Sequence, residues 1–111
     1  MKITALLLVA AAFSLPAQAE TISRCVLEVD GVSYLDGPCD FDGHDKGGSF
    51  TISVNDPLPY FATVDVGYDP ISPDAVWNGP NAESHAHDYL GELTRDGACW
   101  VNESVKVCAY R

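Results

Sequence analysis

Residues 25–36 read CVLEVDGVSYLD, two apolar stretches joined by Asp30-Gly31. This dipeptide is typical of a two-residue hairpin, because a type I′ turn needs a positive φ at both central positions. In that register Leu27 would face Tyr34 across the hairpin. Four side chains would then share the core face of a sheet: Leu27, Val29, Val32 and Tyr34. The segment therefore predicts an antiparallel pair of strands at the start of the fold.

The rest of the chain carries further strand-forming segments separated by turn residues. Alternating apolar residues predict strands over 49–54 and 60–66, and a last hairpin over 98–110. A proline-rich connection, 67–82, follows the second of these strands, and residues 82–90 fit either an edge strand or a short helix. The sequence predicts an all-β fold, a small antiparallel barrel or sandwich of six to eight short strands. An α+β fold with one short helix near 82–90 is the alternative.

Residues 1–19 have the features of a secretory signal peptide. A positively charged start is followed by an uncharged apolar run over 3–13, and residues 17–19, Ala-Gln-Ala, suit a signal peptidase. The run is shorter than the roughly 20 residues that cross a bilayer. We predict cleavage after Ala19 and a single secreted β domain over 20–111. The mature form is expected in the periplasm or outside the cell, without a membrane span.

The four cysteines fit this exported destination. An even number of cysteines in a short exported chain is typical of disulfide bonds. Cys25 and Cys39 flank the first hairpin, and Cys99 falls opposite Cys108 in the register of the last one. We therefore predict the bonds Cys25–Cys39 and Cys99–Cys108. The intervals within the pairs do not fit the paired thiolates of a zinc knuckle.

The charge is strongly unbalanced. The chain has 6 Lys and Arg against 16 Asp and Glu, and the leader would remove one cation, Lys2, and no acid. Such a surface repels nucleic acid and anionic lipid. A binding partner selected by this charge would be cationic, for example a basic protein. Solubility alone is an equally good explanation of the charge.

The proline-rich connection contains the candidates for partner contact. Tyr68 and Trp77 are predicted to be exposed there, with Asp69 and Asp74 beside them. Exposed Trp and Tyr side chains commonly anchor protein partners. An aromatic loop rimmed by carboxylates would suit a basic protein. The alternative is that Trp77 caps one end of the sheet.

His85-Ala86-His87 is the candidate metal site. On a strand the two imidazoles would project from the same face. With His44, or an aspartate of the 40–45 loop, they would form a zinc, copper or nickel site. Solvated histidines in a polar loop are the simpler explanation, and no other cofactor is predicted.

Catalytic patterns are not found in the sequence. It contains no Gly-x-Ser-x-Gly elbow and no phosphate-binding glycine loop, and disulfide-bonded cysteines cannot serve as thiolate nucleophiles. A chain of this length rarely encloses a deep cleft. We therefore predict a protein that is not an enzyme.

Two resemblances bear on function. The ending GACWVN at 97–102, followed by VCA at 107–109, resembles small exported proteobacterial proteins of unknown function, which implies no activity. In size, acidity, disulfide content and expected fold the chain is similar to periplasmic lysozyme inhibitors. Those small β-proteins block the cleft of a cationic muramidase with a loop. Their Ser-Gly-x-x-Tyr signature is replaced here by DGVSY at 30–34, so no inhibitory residue is carried over.

The function expected from these features is that of a non-enzymatic acidic binding module. The resemblance implies, as its concrete form, an inhibitor of a cationic hydrolase such as lysozyme. A metal-binding periplasmic protein that uses the His85/His87 pair is the first alternative. A structural protein of the envelope is the second.

Overall fold

The computed structural model describes residues 19–68 and 70–111. Almost all of the predicted signal peptide, 1–19, therefore lies outside the described residues, and so does Asp69. In the described part the chain forms nine β-strands and no helix. The strands are, in chain order, β1 (Glu20–Val29), β2 (Val32–Gly43), β3 (Phe50–Ser53), β4 (Phe61–Asp65), β5 (Asp74–Trp77), β6 (Asp88–Glu92), β7 (Thr94–Asp96), β8 (Cys99–Val101) and β9 (Val105–Tyr110).

The all-β prediction is confirmed, with nine strands instead of six to eight. The additional strand arises because the segment from Asp88 to Asp96 divides at Leu93 into β6 and β7. The alternative of a short helix near 82–90 is wrong, since residues 82–87 form turns and irregular chain before β6 begins. Among the described residues, no helix has the length and apolarity needed to cross a membrane.

All nine strands belong to one antiparallel sheet, which curls into a nearly closed barrel. The strand order is β6-β5-β4-β3-β2-β1-β9-β8-β7, so the two edge strands are consecutive in the chain and are joined by Leu93 alone. The Nδ2 of Asn102 donates to the carbonyls of Leu90 at 2.9 Å and Glu92 at 3.1 Å. The side chain of Asn102 therefore links the β8–β9 turn to the edge strand β6 and holds the seam together.

The barrel interior is filled by alternate residues of the strands, because successive side chains in a strand point to opposite faces. The four largest aliphatic side chains that are completely buried in it are Leu27, Ile52, Val64 and Val107. Removing one such side chain from water contributes roughly 1.5 to 3 kcal/mol to folding. A second, smaller cluster lies on the outer face and consists of Val26 with Cys99 and Cys108.

The first hairpin forms at the predicted turn but in a different register. Asp30 and Gly31 both have positive φ, and Val29 pairs with Val32 as expected. Leu27, however, pairs with Leu35, because a β-bulge adds one residue to β2, and this residue is Tyr34. The predicted pairing of Leu27 with Tyr34 is therefore wrong. Val32 is also not on the core face, since its side chain is 50% exposed at the hairpin tip.

Both predicted disulfides are present. Cys25–Cys39 lies within the main core cluster, between the neighbouring strands β1 and β2. Cys99–Cys108 lies on the outer face and joins directly opposed residues of β8 and β9, as the predicted register requires. The two bonds therefore restrain separate hairpins on opposite faces of the sheet.

We expect the Cys99→Ala/Cys108→Ala double variant to lose about 3 kcal/mol of unfolding free energy. The reason is that the unfolded chain regains the loop entropy that the bond removes. Equilibrium urea unfolding without reductant measures the change. Wild type treated with reductant is the matched comparison and should lose more, since both bonds then open. An unchanged urea midpoint in the double variant would contradict a stabilising role for this bond.

Candidate functional site

One open end of the barrel forms a groove, which we call the hairpin-end groove. It lies beside the β1–β2 turn and has a volume of about 480 Å³. Its chemistry is supplied by two carboxylates, one imidazole and three aromatic rings: Asp30, Tyr34, Trp77, His87, Asp88 and Tyr89. These residues come from three separate segments of the chain, and the curling of the sheet brings them together.

The floor of the hairpin-end groove is an aromatic cluster. The ring of Tyr34 lies edge-on to Trp77 at 4.8 Å and to Tyr60 at 5.4 Å between centroids. The hydroxyl of Tyr60 donates to the carbonyl of Pro80 at 2.8 Å, which ties the cluster to the rim of the groove. Edge-on aromatic pairs are favourable beyond the area that they bury. The floor is therefore a fixed apolar surface.

Trp77 belongs to this floor and is only 4% exposed. The predicted exposure of Trp77 is therefore wrong, and the alternative, that it caps one end of the sheet, describes its position. It is the last residue of β5 and pairs with Ala62 of β4. The small Ala62 side chain, on the same inner face, leaves room for the indole. One part of the ring still borders the groove.

Asn78 holds the rim of the groove in place. It is 1% exposed, and its amide group makes three hydrogen bonds. Its Oδ1 accepts from the backbone N–H of Phe61 at 3.0 Å, and its Nδ2 donates to the carbonyls of Pro59 and Glu83, each at 2.9 Å. A buried polar side chain is stable when its donors and acceptors are all paired. Asn78 therefore fixes the loop that follows β5 onto the start of β4.

The carboxylates at the groove give it a negative charge. Asp30 lies at the tip of the first hairpin, and Asp88 is the first residue of β6, opposite Trp77. Both side chains are exposed, and in the described part of the chain neither forms an ion pair. Aromatic faces next to carboxylates attract a cation both by charge and through the ring electrons. The arrangement suits an ammonium or guanidinium group.

The two histidines of the candidate metal site lie together. The rings of His85 and His87 are 5.3 Å apart between centroids and nearly perpendicular. They lie in the irregular segment before β6, not on a strand, and only His87 borders the groove. His44 lies beside the β2–β3 loop, where its Nε2 is 2.6 Å from the hydroxyl of Thr51. The structure therefore does not bring His44 to the other two.

The histidine pair is not part of a larger group of metal-ligand residues within the described ranges. Within residues 19–68 and 70–111, no group of three His, Cys, Asp or Glu side chains is placed to hold a metal ion. Metal sites in proteins generally use three or four protein ligands.

Asp45 organises the β2–β3 loop. This loop follows the end of β2 that is farther from the first hairpin. Its Oδ1 accepts from the backbone N–H groups of Ser49 at 3.2 Å and Gly47 at 2.9 Å. These two hydrogen bonds lower the pKa of the Asp45 carboxyl below its ordinary value, and the bond from Ser49 has the larger effect. The carboxylate of Asp45 therefore stays charged to a lower pH than that of an ordinary aspartate.

The remaining candidates for partner contact are separated. Tyr68 is 73% exposed and lies in the connection between β4 and β5, where its backbone pairs with Ile71. Asp74 accepts a hydrogen bond from the hydroxyl of Tyr89 at 3.3 Å, which links it to the border of the groove. Asp69 lies outside the described residues. Tyr68 and Trp77 therefore do not share one surface.

Four of the six charged and aromatic residues of the groove were not among the sequence-based candidates. They are Asp30, Tyr34, Asp88 and Tyr89. The sequence does indicate the Asp30-Gly31 turn, but it does not place that turn beside β6.

Comparison with protein-family models, with curated proteins and with solved structures found no match to this chain.

Proposed function

We propose that the protein is a non-enzymatic acidic binding module of the periplasm or the secreted fraction, which holds a cationic protein at the hairpin-end groove. The observation that carries the proposal is the position of Asp30 and Asp88 beside the aromatic floor. A lysine or arginine of the partner would lay its aliphatic stem on the rings and direct its charged end to the carboxylates.

The overall charge supports the same kind of partner. Sixteen acidic residues against six basic ones give the chain a formal net charge of −10 and hence a net negative field. Such a field accelerates the encounter with a cationic protein and weakens as salt is added. A basic hydrolase such as lysozyme is the concrete form of the proposal, and inhibition would follow if the bound module covered its active-site cleft.

We expect the Asp30→Asn/Asp88→Asn double variant to bind a strongly basic lysozyme at least about tenfold more weakly than wild type does. Hydrogen bonds to charged groups contribute about 1.5 kcal/mol or more each, which corresponds to a tenfold change in affinity. Isothermal titration calorimetry at low ionic strength measures the difference. A parallel assay of cell-wall hydrolysis reports whether binding inhibits the enzyme.

The matched control is Asp42→Asn/Asp96→Asn, which removes two charges from strands away from the groove. It should retain most of the wild-type affinity, with a small loss from the weaker overall field. An equal loss in both double variants would show that the groove has no special role. If wild type shows no salt-sensitive binding, the proposed partner class is wrong.

A further inference from the structure

The opposite end of the barrel contains a second cavity of different character, which we call the arginine pocket. Its volume is about 220 Å³. It opens beside the β2–β3 loop, where β2 ends and β3 begins. Its principal lining residues are three aromatic and three charged side chains: Phe41, Asp45, Phe50, Arg95, Trp100 and Arg111.

The apolar part of the arginine pocket is rigid. Phe41 and Phe50 are buried in the core cluster, and their rings stack with centroids 5.2 Å apart. Trp100 is partly buried and packs against the same core. Its inward position follows from the register of β8, in which Trp100 pairs with the buried Val107. The pocket therefore offers flat aromatic surfaces that do not depend on a mobile loop.

Arg95 is exposed on the edge strand β7. It pairs with Trp100 across β7 and β8, so its side chain starts on the same face of the sheet as Trp100. The guanidinium carbon lies 5.5 Å from the centre of the Trp100 ring, and Nε donates to the carbonyl of Gly97 at 2.9 Å. In the described part of the chain the Arg95 guanidinium makes no ion pair. Its two terminal nitrogens can therefore donate to a ligand.

Arg111 adds a second positive charge at the same opening. Its guanidinium carbon lies 4.3 Å from the centre of the Phe41 ring, and Nη2 donates to Glu20 at 2.7 Å. Asp45 also borders the pocket, with its Oδ1 engaged by backbone N–H groups of its own loop. Two of the chain's six Lys and Arg residues thus line one cavity, although the chain has 16 Asp and Glu residues.

We propose that the arginine pocket binds a small organic anion with a flat apolar body, of the class of aromatic carboxylates. The ring of the ligand would lie beside the partly exposed Trp100, and its carboxylate would accept hydrogen bonds from Arg95. The planar guanidinium fork matches a carboxylate in shape and charge. The cavity volume of about 220 Å³ is sufficient for one aromatic ring with its carboxylate. This site is independent of the hairpin-end groove.

The test uses benzoate as the probe and benzamide as its neutral counterpart. The protein contains two tryptophans, so the Trp77→Phe variant leaves Trp100 as the reporter of the arginine pocket. Titration followed by Trp100 fluorescence gives both affinities. We expect benzoate to bind at least about tenfold more tightly than benzamide, because only the carboxylate carries a negative charge and offers two equivalent oxygens to the guanidinium fork of Arg95.

The same titration is repeated on Arg95→Gln and on a matched control, Arg24→Gln. Arg24 also lies over an aromatic ring, that of Tyr110 at 5.1 Å, and it pairs with Asp36 outside the pocket. We expect about a tenfold loss of benzoate affinity for Arg95→Gln and no loss for Arg24→Gln. Equal affinities for benzoate and benzamide, or equal losses in the two variants, would overturn the proposal. If Arg95→Gln does not fold, the comparison of benzoate with benzamide on the Trp77→Phe protein, which retains Arg95, still decides the question.

Discussion

The Trp77→Ala variant is expected to lose about 3 to 5 kcal/mol of unfolding free energy, the usual cost of removing a large aromatic side chain from a core. The indole contacts Tyr34 and Tyr60 and closes the barrel at the hairpin end. Its removal leaves a cavity between strands that cannot collapse, because the hydrogen bonds of β4 and β6 hold both sides of β5. Urea unfolding followed by circular dichroism measures the loss.

The Trp77→Phe variant is the control for this experiment. It keeps an aromatic ring between Tyr34 and Tyr60 and should lose less than half as much stability. A loss below about 1 kcal/mol for Trp77→Ala would contradict the central position of the indole, since buried tryptophan is costlier to remove than that. The two variants together separate the effect of ring volume from the effect of aromatic contact.

The Asn78→Asp variant is expected to lose about 3 kcal/mol or more, although the two side chains have nearly the same shape. The exchange removes both donors of the buried Asn78 Nδ2, so the carbonyls of Pro59 and Glu83 lose their hydrogen bonds to it. It also places an acid against two carbonyl oxygens, where a charged carboxylate is strongly disfavoured. The midpoint of urea unfolding at neutral pH, with the slope compared to wild type, gives the change.

Asn81→Asp is the matched control, since Asn81 is exposed in the same loop. It introduces the same charge and should change the unfolding free energy by less than about 0.5 kcal/mol. Similar losses in the two variants would mean that added negative charge, and not the buried hydrogen bonds of Asn78, explains the effect. The stability of Asn78→Asp should also improve on acidification, because protonation of the buried carboxylate removes its charge.

Much of the fold follows from short-range patterns in the sequence. The turn at Asp30-Gly31 and the opposition of Cys99 and Cys108 depend on residues close together in the chain, and both are present. The bulge at Tyr34 was not predicted, because a bulge depends on what the extra side chain contacts. Tyr34 turns toward Trp77, a residue far away in sequence. Local propensity contains no information about that contact.

The candidate sites were predicted less well for the same reason. The hairpin-end groove combines Asp30, Trp77 and Asp88, which become neighbours only when the sheet curls. The arginine pocket needs Arg95 on the same face of the sheet as Trp100, and β7, which carries Arg95, is only three residues long. A strand of that length shows no readable alternation in the sequence. His85 and His87 lie close together because only one residue separates them, although they are not on the strand that the prediction assumed.

The seam of the barrel has a consequence for self-association. Edge strands can pair with the edges of other chains, and proteins limit this by keeping such edges short. The two edges of this sheet, β6 and β7, have five and three residues, and the chain joins them directly. Asn102 already occupies the carbonyls of Leu90 and Glu92 on β6. The edge strands of the folded protein therefore expose few unpaired backbone groups to which a strand of another chain could hydrogen-bond.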